Sequence, residues 1–363
     1  MSKIVTFGEI MARMAAPGFL RFGQTMPGRM DVTFAGAEAN VAASVVLLGG
    51  EAAFVTALPA NPLADACLAS LRAVGVDVSH VLRRDEGRLG LYFLETGANQ
   101  RPSRVVYDRA GSTVSLTPAD AYPWAEVFAG AGWFHVTGIT PAISKCAADA
   151  TLAAVQAARA AGLTVSCDLN FRKKLWRWEP GTEPRALAER AMRRVLPFVD
   201  LVVANEEDAA KVLSIEAEET DVEAGRLAVE RYPEVARAVV AQFANVSRVG
   251  ITLRESVSAS HNNWGAMLYD AAEDAAYFAP TEGGAYRPYQ IRNIVDRVGG
   301  GDAFAAGLIH ALMTPELAAP GTAVAFAAAS SCLAHSILGD LNVSSRAEVE
   351  ALMKGSGSGR VVR

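Results

Sequence analysis

Short apolar runs closed off by turn residues recur along the chain, at Lys3–Phe7, Ala53–Ala57, Gly132–Val136, Leu163–Asp168, Leu201–Ala204 and Val249–Leu253. Their length and lack of polar alternation predict strands buried on both faces. Between them lie alanine- and leucine-rich stretches with apolar positions at helical spacing, at Glu38–Leu48, Leu63–Val74, Ala147–Ala161, Pro184–Val195 and Val222–Phe243. This alternation predicts βαβ units, hence an α/β fold with a mainly parallel central sheet and helices on both faces. One segment breaks the rhythm. Arg88–Glu95 and Ser103–Asp108 flank a turn-rich stretch from Thr96 to Pro102 and read as a β-hairpin with no helix to cover it. We assign parts of 11–34 and 88–109 to a small β-sheet lid over a cleft, within a single domain spanning 1–363. The glycine and serine run from Gly355 to Gly359 predicts a flexible tail over 355–363.

Charge narrows the partners. With 34 basic and 39 acidic residues the formal charge is −5, which offers no footprint for nucleic acid and points to a small-molecule ligand. The opening Met1–Glu9 lacks the apolar stretch of a signal peptide, and no run reaches the roughly 18 apolar residues of a membrane span. Cys67, Cys146, Cys167 and Cys332 show neither metal-site spacing nor a dense disulfide framework, so reduced thiols and a cytoplasmic location are expected.

The chemistry concentrates in Asp296-Arg297-Val298-Gly299-Gly300-Gly301-Asp302-Ala303-Phe304-Ala305-Ala306-Gly307, which runs into the apolar pattern Leu308–Leu312. Glycines leading into a helix make an anion site, because the backbone can approach a ligand closely and the unpaired N–H groups of the first turn point at it. Asp302, taken alone, would read as an N-terminal cap. Beside a phosphate cradle it can instead accept the proton of an attacking hydroxyl. The glycines lie near the C-terminal end and not after the first strand, where a dinucleotide fingerprint would stand, and no G-x-x-x-x-G-K-[ST] occurs.

Asp296–Gly307 resembles the C-terminal signature of the ribokinase (PfkB) family, D-T-x-G-A-G-D-x-F-x-x-G, with Arg297 in place of Thr and Gly300 in place of Ala. Ala35–Ala42 and Leu48–Gly50 resemble the family's N-terminal signature, departing at Ala35. The resemblance implies a ribokinase-like fold and an ATP-dependent carbohydrate kinase that uses magnesium. It implies that Asp302 is the base, and that the Gly299, Gly300 and Gly301 amides stabilise the transferring phosphoryl group from a surface-lining loop. Gly36 and Asn40 are implied on the substrate, and Asn205 and Thr252 on the nucleotide side. Asp208 is implied to act on magnesium through water, and Asp296 as a monovalent-cation site with potassium as the ion. Glu206 and Glu207 also fit acids that complement a helix dipole. Arg254 stays open between a phosphate contact and solvent.

Planar arginines suit a carboxylate better than a neutral sugar does. Tyr107 and Arg109 end the hairpin, and Arg172 follows Asp168-Leu169-Asn170 at the C-terminal end of a strand, where open α/β sheets bind ligands. With Gly36-Ala37-Glu38, these residues resemble the 2-keto-3-deoxygluconate kinases within the family, which implies that Tyr107, Arg109 and Arg172 hold a sugar acid. A kinase for fructose or a related sugar is the alternative within the family. A sugar- or nucleotide-binding regulator without catalysis is the alternative from another class, and an NAD-dependent oxidoreductase is disfavoured by the missing fingerprint. An exposed lid edge leaves room for a homo-oligomer.

Overall fold

The computed structural model describes residues 2–205, 207–215 and 228–355. Glu206, the start of the Val222–Phe243 stretch and the predicted tail beyond Gly355 lie outside the described residues.

Lys3–Phe7 lies inside the central sheet, parallel to Ala52–Val55 on one side and to Ala131–Thr137 on the other. Thr164–Asp168, Leu201–Ala204 and Arg248–Ser258 follow in parallel. Alternate side chains of these strands feed two cores. Val5, Phe134, Val165 and Val202 pack with helix Lys145–Ala160 on one face, and Ile4, Trp133, Leu201 and Val203 pack with helices Ala37–Leu47 and Gly300–Leu312 on the other. The fold is thus ribokinase-like in architecture: a largely parallel sheet covered on both faces.

The sheet also has an antiparallel extension beyond the strands predicted above, whose return strand carries an apolar run over 264–269. Arg248–Ser258 turns into His261–Asp270, which pairs with Ala275–Ala279 and with Tyr289–Ile291 to complete nine strands. The far end of this hairpin carries Arg254, Glu255, Ser256, Asn262 and Asn263, so a polar ladder continues where an apolar strand signal stops.

A separate four-stranded sheet holds Asp31–Ala35, Met11–Ala15, Gly90–Glu95 and Arg104–Asp108 in that order, all antiparallel except for the middle pair. Met11, Tyr92 and Tyr107 face inward to the cleft, while Val32 and Val106 are exposed on the outside. All four cysteines are free, and no helix among the described residues is long and apolar enough to cross a membrane.

Helix Gly300–Leu312 is pressed between the sheet and helix Pro320–Ala334. Contact with the second helix is close because Gly307 has no side chain: a Cβ there would stand 3.0 Å from Ala327 Cα and from Ser330 Cβ. Gly307→Val should therefore overpack this seam and destabilise the protein by about 1–3 kcal/mol, read as a lower midpoint in denaturant at unchanged slope. An unchanged midpoint would show that the helix can shift at no cost.

Candidate active site

Successive parallel strands end on one rim of the sheet, and the residues just past those ends line a cavity of about 350 Å³ closed on its far side by the small sheet. Glu9 follows the first strand, Asn170 and Arg172 follow Thr164–Asp168, and Asn205 follows Leu201–Ala204. Thr252 and Arg254 project from Arg248–Ser258. Gly36 and Asn40 reach the cavity from the start of helix Ala37–Leu47, and Tyr107 and Arg109 from the small sheet and the loop after it.

The glycine run opens helix Gly300–Leu312. Gly299 is its N-cap in the left-handed region at φ 84°, and a Cβ there would lie 2.2 Å from the Asp340 carbonyl oxygen, so backbone geometry and space both demand glycine. The first helical hydrogen bond runs from the Ala303 amide to the Gly299 carbonyl at 2.8 Å, leaving the Gly300 and Gly301 amides of the first turn outside the helical ladder. Gly301 is exposed, with open space where a Cβ would stand. Gly300 lines the cavity but is itself buried, and a Cβ would meet the His335 ring at 3.0 Å. Packing against His335 is the physical reason for that burial.

Asp302 is the third residue of the helix and caps nothing. Asn40 Nδ2 donates to Asp302 Oδ2 at 2.7 Å, while Oδ1 has no hydrogen bond among the described residues. Asn40 is thus engaged with the carboxylate, and its own Oδ1 accepts the Gly36 amide at 3.3 Å. Burial raises the Asp302 proton affinity to a pKa of about 6, with the Asn40 hydrogen bond and the Arg172 charge opposing and Asp340 adding to the rise. Glu38, two residues before Asn40, is fully buried; burial pushes its pKa up to about 7 although the Thr137 and Thr140 hydroxyls donate to its Oε1 at 2.7 and 2.8 Å. This carboxyl pins the start of the helix that delivers Asn40, and its place in Gly36-Ala37-Glu38 gives no hint of that in the sequence.

Asp168 and Asp208 lie on the same wall. Burial, then Asp208 and Asp302, hold Asp168 well above the ordinary carboxylate range, with Arg172 opposing. Both Asp208 oxygens accept backbone amides, from Asn205 and from Phe171 at 3.0 Å each, so this side chain joins the loops after two neighbouring strands. The Asn205 side chain caps the helix beginning at Asp208, accepting from the Glu207 and Asp208 amides at 2.9 and 3.1 Å.

One expectation changes, and a second residue gains a partner. Asp296 does not line the cavity: it is buried behind the loop, where Arg13 forms an ion pair with its Oδ2 while the Val298 amide donates to Oδ1 at 3.1 Å. A guanidinium therefore stands where potassium was expected, and with Arg13 in place a monovalent ion does not fit beside Asp296. Arg109 is buried and paired with Glu9, its Nε donating to Oε2 at 2.6 Å, and its guanidinium lies 5.5 Å from the Tyr107 ring centroid. Its charge is already compensated. Arg172, by contrast, is exposed and, among the described residues, donates only to the neighbouring Phe171 carbonyl, at 3.0 Å.

The chain is similar to known carbohydrate kinases. The pfkB family carbohydrate kinase model matches residues 1–241. The 2-dehydro-3-deoxygalactonokinase of Haloferax volcanii is 31% identical over 360 residues, 99% of this chain and 98% of that relative. The crystal structure of 2-dehydro-3-deoxygluconokinase from Thermotoga maritima is 42% identical, covers 98% of this chain and 100% of its own, and superposes with a TM-score of 0.87. A fructokinase from Xylella fastidiosa with bound ATP, 23% identical with a TM-score of 0.74 over 98% of this chain and 99% of its own, shares the fold. With a family match across more than half of its residues and a full-length relative in accord, the chain belongs to the pfkB family of carbohydrate kinases.

Proposed function

We propose that this kinase transfers the γ-phosphoryl group of ATP to the primary hydroxyl of a 2-keto-3-deoxy sugar acid, with 2-keto-3-deoxygluconate as the substrate and its 6-phosphate as the product. Carbohydrate kinases of this fold use ATP. The observation that carries the reading is Asp302: one oxygen is fixed by Asn40, and the other is left to the cleft beside the first amides of helix Gly300–Leu312.

In this reading Asp302 Oδ1 takes the proton of the sugar hydroxyl as its oxygen bonds to the γ-phosphorus and the bond to the β-phosphate oxygen breaks. Charge gathers on the oxygens of the transferring group, where the Gly300 and Gly301 amides and the positive end of the helix dipole stabilise it. A pKa of about 6 keeps Asp302 ionised at neutral pH yet more basic than an ordinary aspartate. The mutual repulsion of Asp168, Asp208 and Asp302 favours a cation there, and with its amide-bound oxygens Asp208 would act through water. When bound, magnesium neutralises charge on the β- and γ-phosphates.

Arg172 supports the sugar acid, since it brings an exposed guanidinium to the cavity within reach of a carboxylate. Relatives named for the glucono and galactono acids share this carboxylate, so the galactono epimer is the second reading. The test is a coupled ADP-release assay over both epimers and fructose. Arg172→Leu should cost about 2–4 kcal/mol in kcat/KM for the acid with little loss of stability. Arg109→Leu should lower the melting temperature as well, because it leaves Glu9 buried and unpaired. Wild-type preference for fructose, or full efficiency of Arg172→Leu on both acids, would overturn the sugar-acid reading.

The base is tested separately. Asp302→Asn should lower kcat by about 10²–10⁴-fold while nucleotide binding survives. It should also raise the melting temperature at pH 8. A carboxyl whose pKa rises from 3.8 to about 6 on folding carries no cost below the lower value and its full cost above the upper one. Near-normal kcat in that variant would remove Asp302 from the role.

A further inference from the structure

Three deeply buried charges near the cavity are used by no step of the proposed transfer. Arg13, on the inward face of Met11–Ala15 in the small sheet, is 2% exposed and lies between Asp296 and Asp340, which are 3% and 9% exposed. Its Nη1 pairs with Asp340 and its Nη2 with Asp296. Tyr92, from the neighbouring strand, donates its hydroxyl to the second Asp340 oxygen at 2.6 Å. Asp296 takes backbone donors as well, the Val298 amide at 3.1 Å and the Gly339 amide at 3.3 Å. Asp340 in turn presses its backbone carbonyl against Gly299. The glycine run and the 339–340 segment are therefore held together around two buried carboxylates and one guanidinium.

Electrostatics makes the guanidinium indispensable to that arrangement. Two carboxylates buried side by side repel, and leaving either uncompensated in a poorly polarisable interior costs several kcal/mol, so the pair requires a cation. Burial, and more weakly the Asp296 charge, lift the proton affinity of Asp340, and Arg13 opposes that rise. A mobile ion could supply the same charge, but the space and the ligands are taken by a side chain anchored in the small sheet.

We propose that Arg13 is a tethered cation, a positioning residue that holds the glycine loop in its phosphate-binding shape and frees this kinase from any need for a monovalent ion. Arg13 does not itself line the cavity; it acts through Asp296, the cavity-lining Asp340 and the loop they fix. Because it is carried by the small sheet, the wall that faces the sugar and the loop that faces the phosphate are joined by one ion pair. The inference uses the kinase assignment but neither the identity of the sugar nor the role of Asp302.

The test compares wild type, Arg13→Lys and Arg13→Ala in potassium, guanidinium or tetramethylammonium chloride at equal ionic strength, about 100 mM, so that general screening is constant. Turnover and melting temperature are both read, and the melting temperature does not depend on which sugar is accepted. Wild type should show the same kcat and melting temperature in all three salts. Arg13→Ala should lose about 10²-fold in kcat in tetramethylammonium, as expected for a displaced loop. Potassium or guanidinium should restore at least about ten-fold of that and raise the melting temperature, since an ion that fills the vacated place stabilises the folded state by mass action. Arg13→Lys should fall between the two. The proposal is overturned if wild type needs potassium for turnover or if Arg13→Ala keeps its kcat. It is equally overturned if no cation restores either rate or melting temperature in Arg13→Ala, including the case in which that variant folds in none of the salts.

Discussion

One hydrogen bond joins the two halves of the site: the amide of Asn40 on the carboxylate of Asp302, 2.7 Å long and spanning 262 residues of sequence. It connects the helix after the second strand of the small sheet to the helix that opens with the glycine run. A carboxylate in a buried position is costly, and two responses are open to a fold, to neutralise the charge or to satisfy it. Here it is satisfied on one oxygen only. The other stays available, so the energetic penalty of burial appears as an elevated proton affinity, which is the property a base requires.

Supports on either side of that bond repeat the same logic. Glu38 is buried against Thr137 and Thr140 and secures the helix that carries Asn40. On the opposite side, Asp296 and Asp340 secure the loop that precedes Asp302, with Arg13 as their counter-charge. Gly250 lets helix Gly300–Leu312 approach the sheet, since a Cβ there would come within 2.9 Å of Leu308. The site thus sits on rigid elements, each held by a buried polar group with named partners.

How much of this was legible depended on the range of the interaction. Strand and helix positions follow from local apolar periodicity, so Lys3–Phe7, Leu201–Ala204 and Pro184–Val195 fall where the pattern puts them. The antiparallel ladder from Arg254 to Asn263 escaped because its residues are polar on both sides of the turn. The glycine run and Asp302 were legible because their chemistry is contiguous. Arg13 was not: a lone arginine in Met11–Ala15 is unremarkable until partners 283 and 327 residues away are brought to it. For the same reason the ion pair that Arg109 makes with Glu9, 100 residues earlier, was not legible.

Transfer in this reading depends on a carboxylate poised by burial and ionised at neutral pH, and a pH profile tests that directly. With saturating magnesium and ATP, kcat/KM of the wild type for its sugar acid should be level from pH 7 to 8 and fall about ten-fold per unit below a midpoint near 6, following protonation of Asp302. The residual activity of Asp302→Asn should lack that limb. A profile flat down to pH 5, or the same limb persisting in Asp302→Asn, would contradict the account.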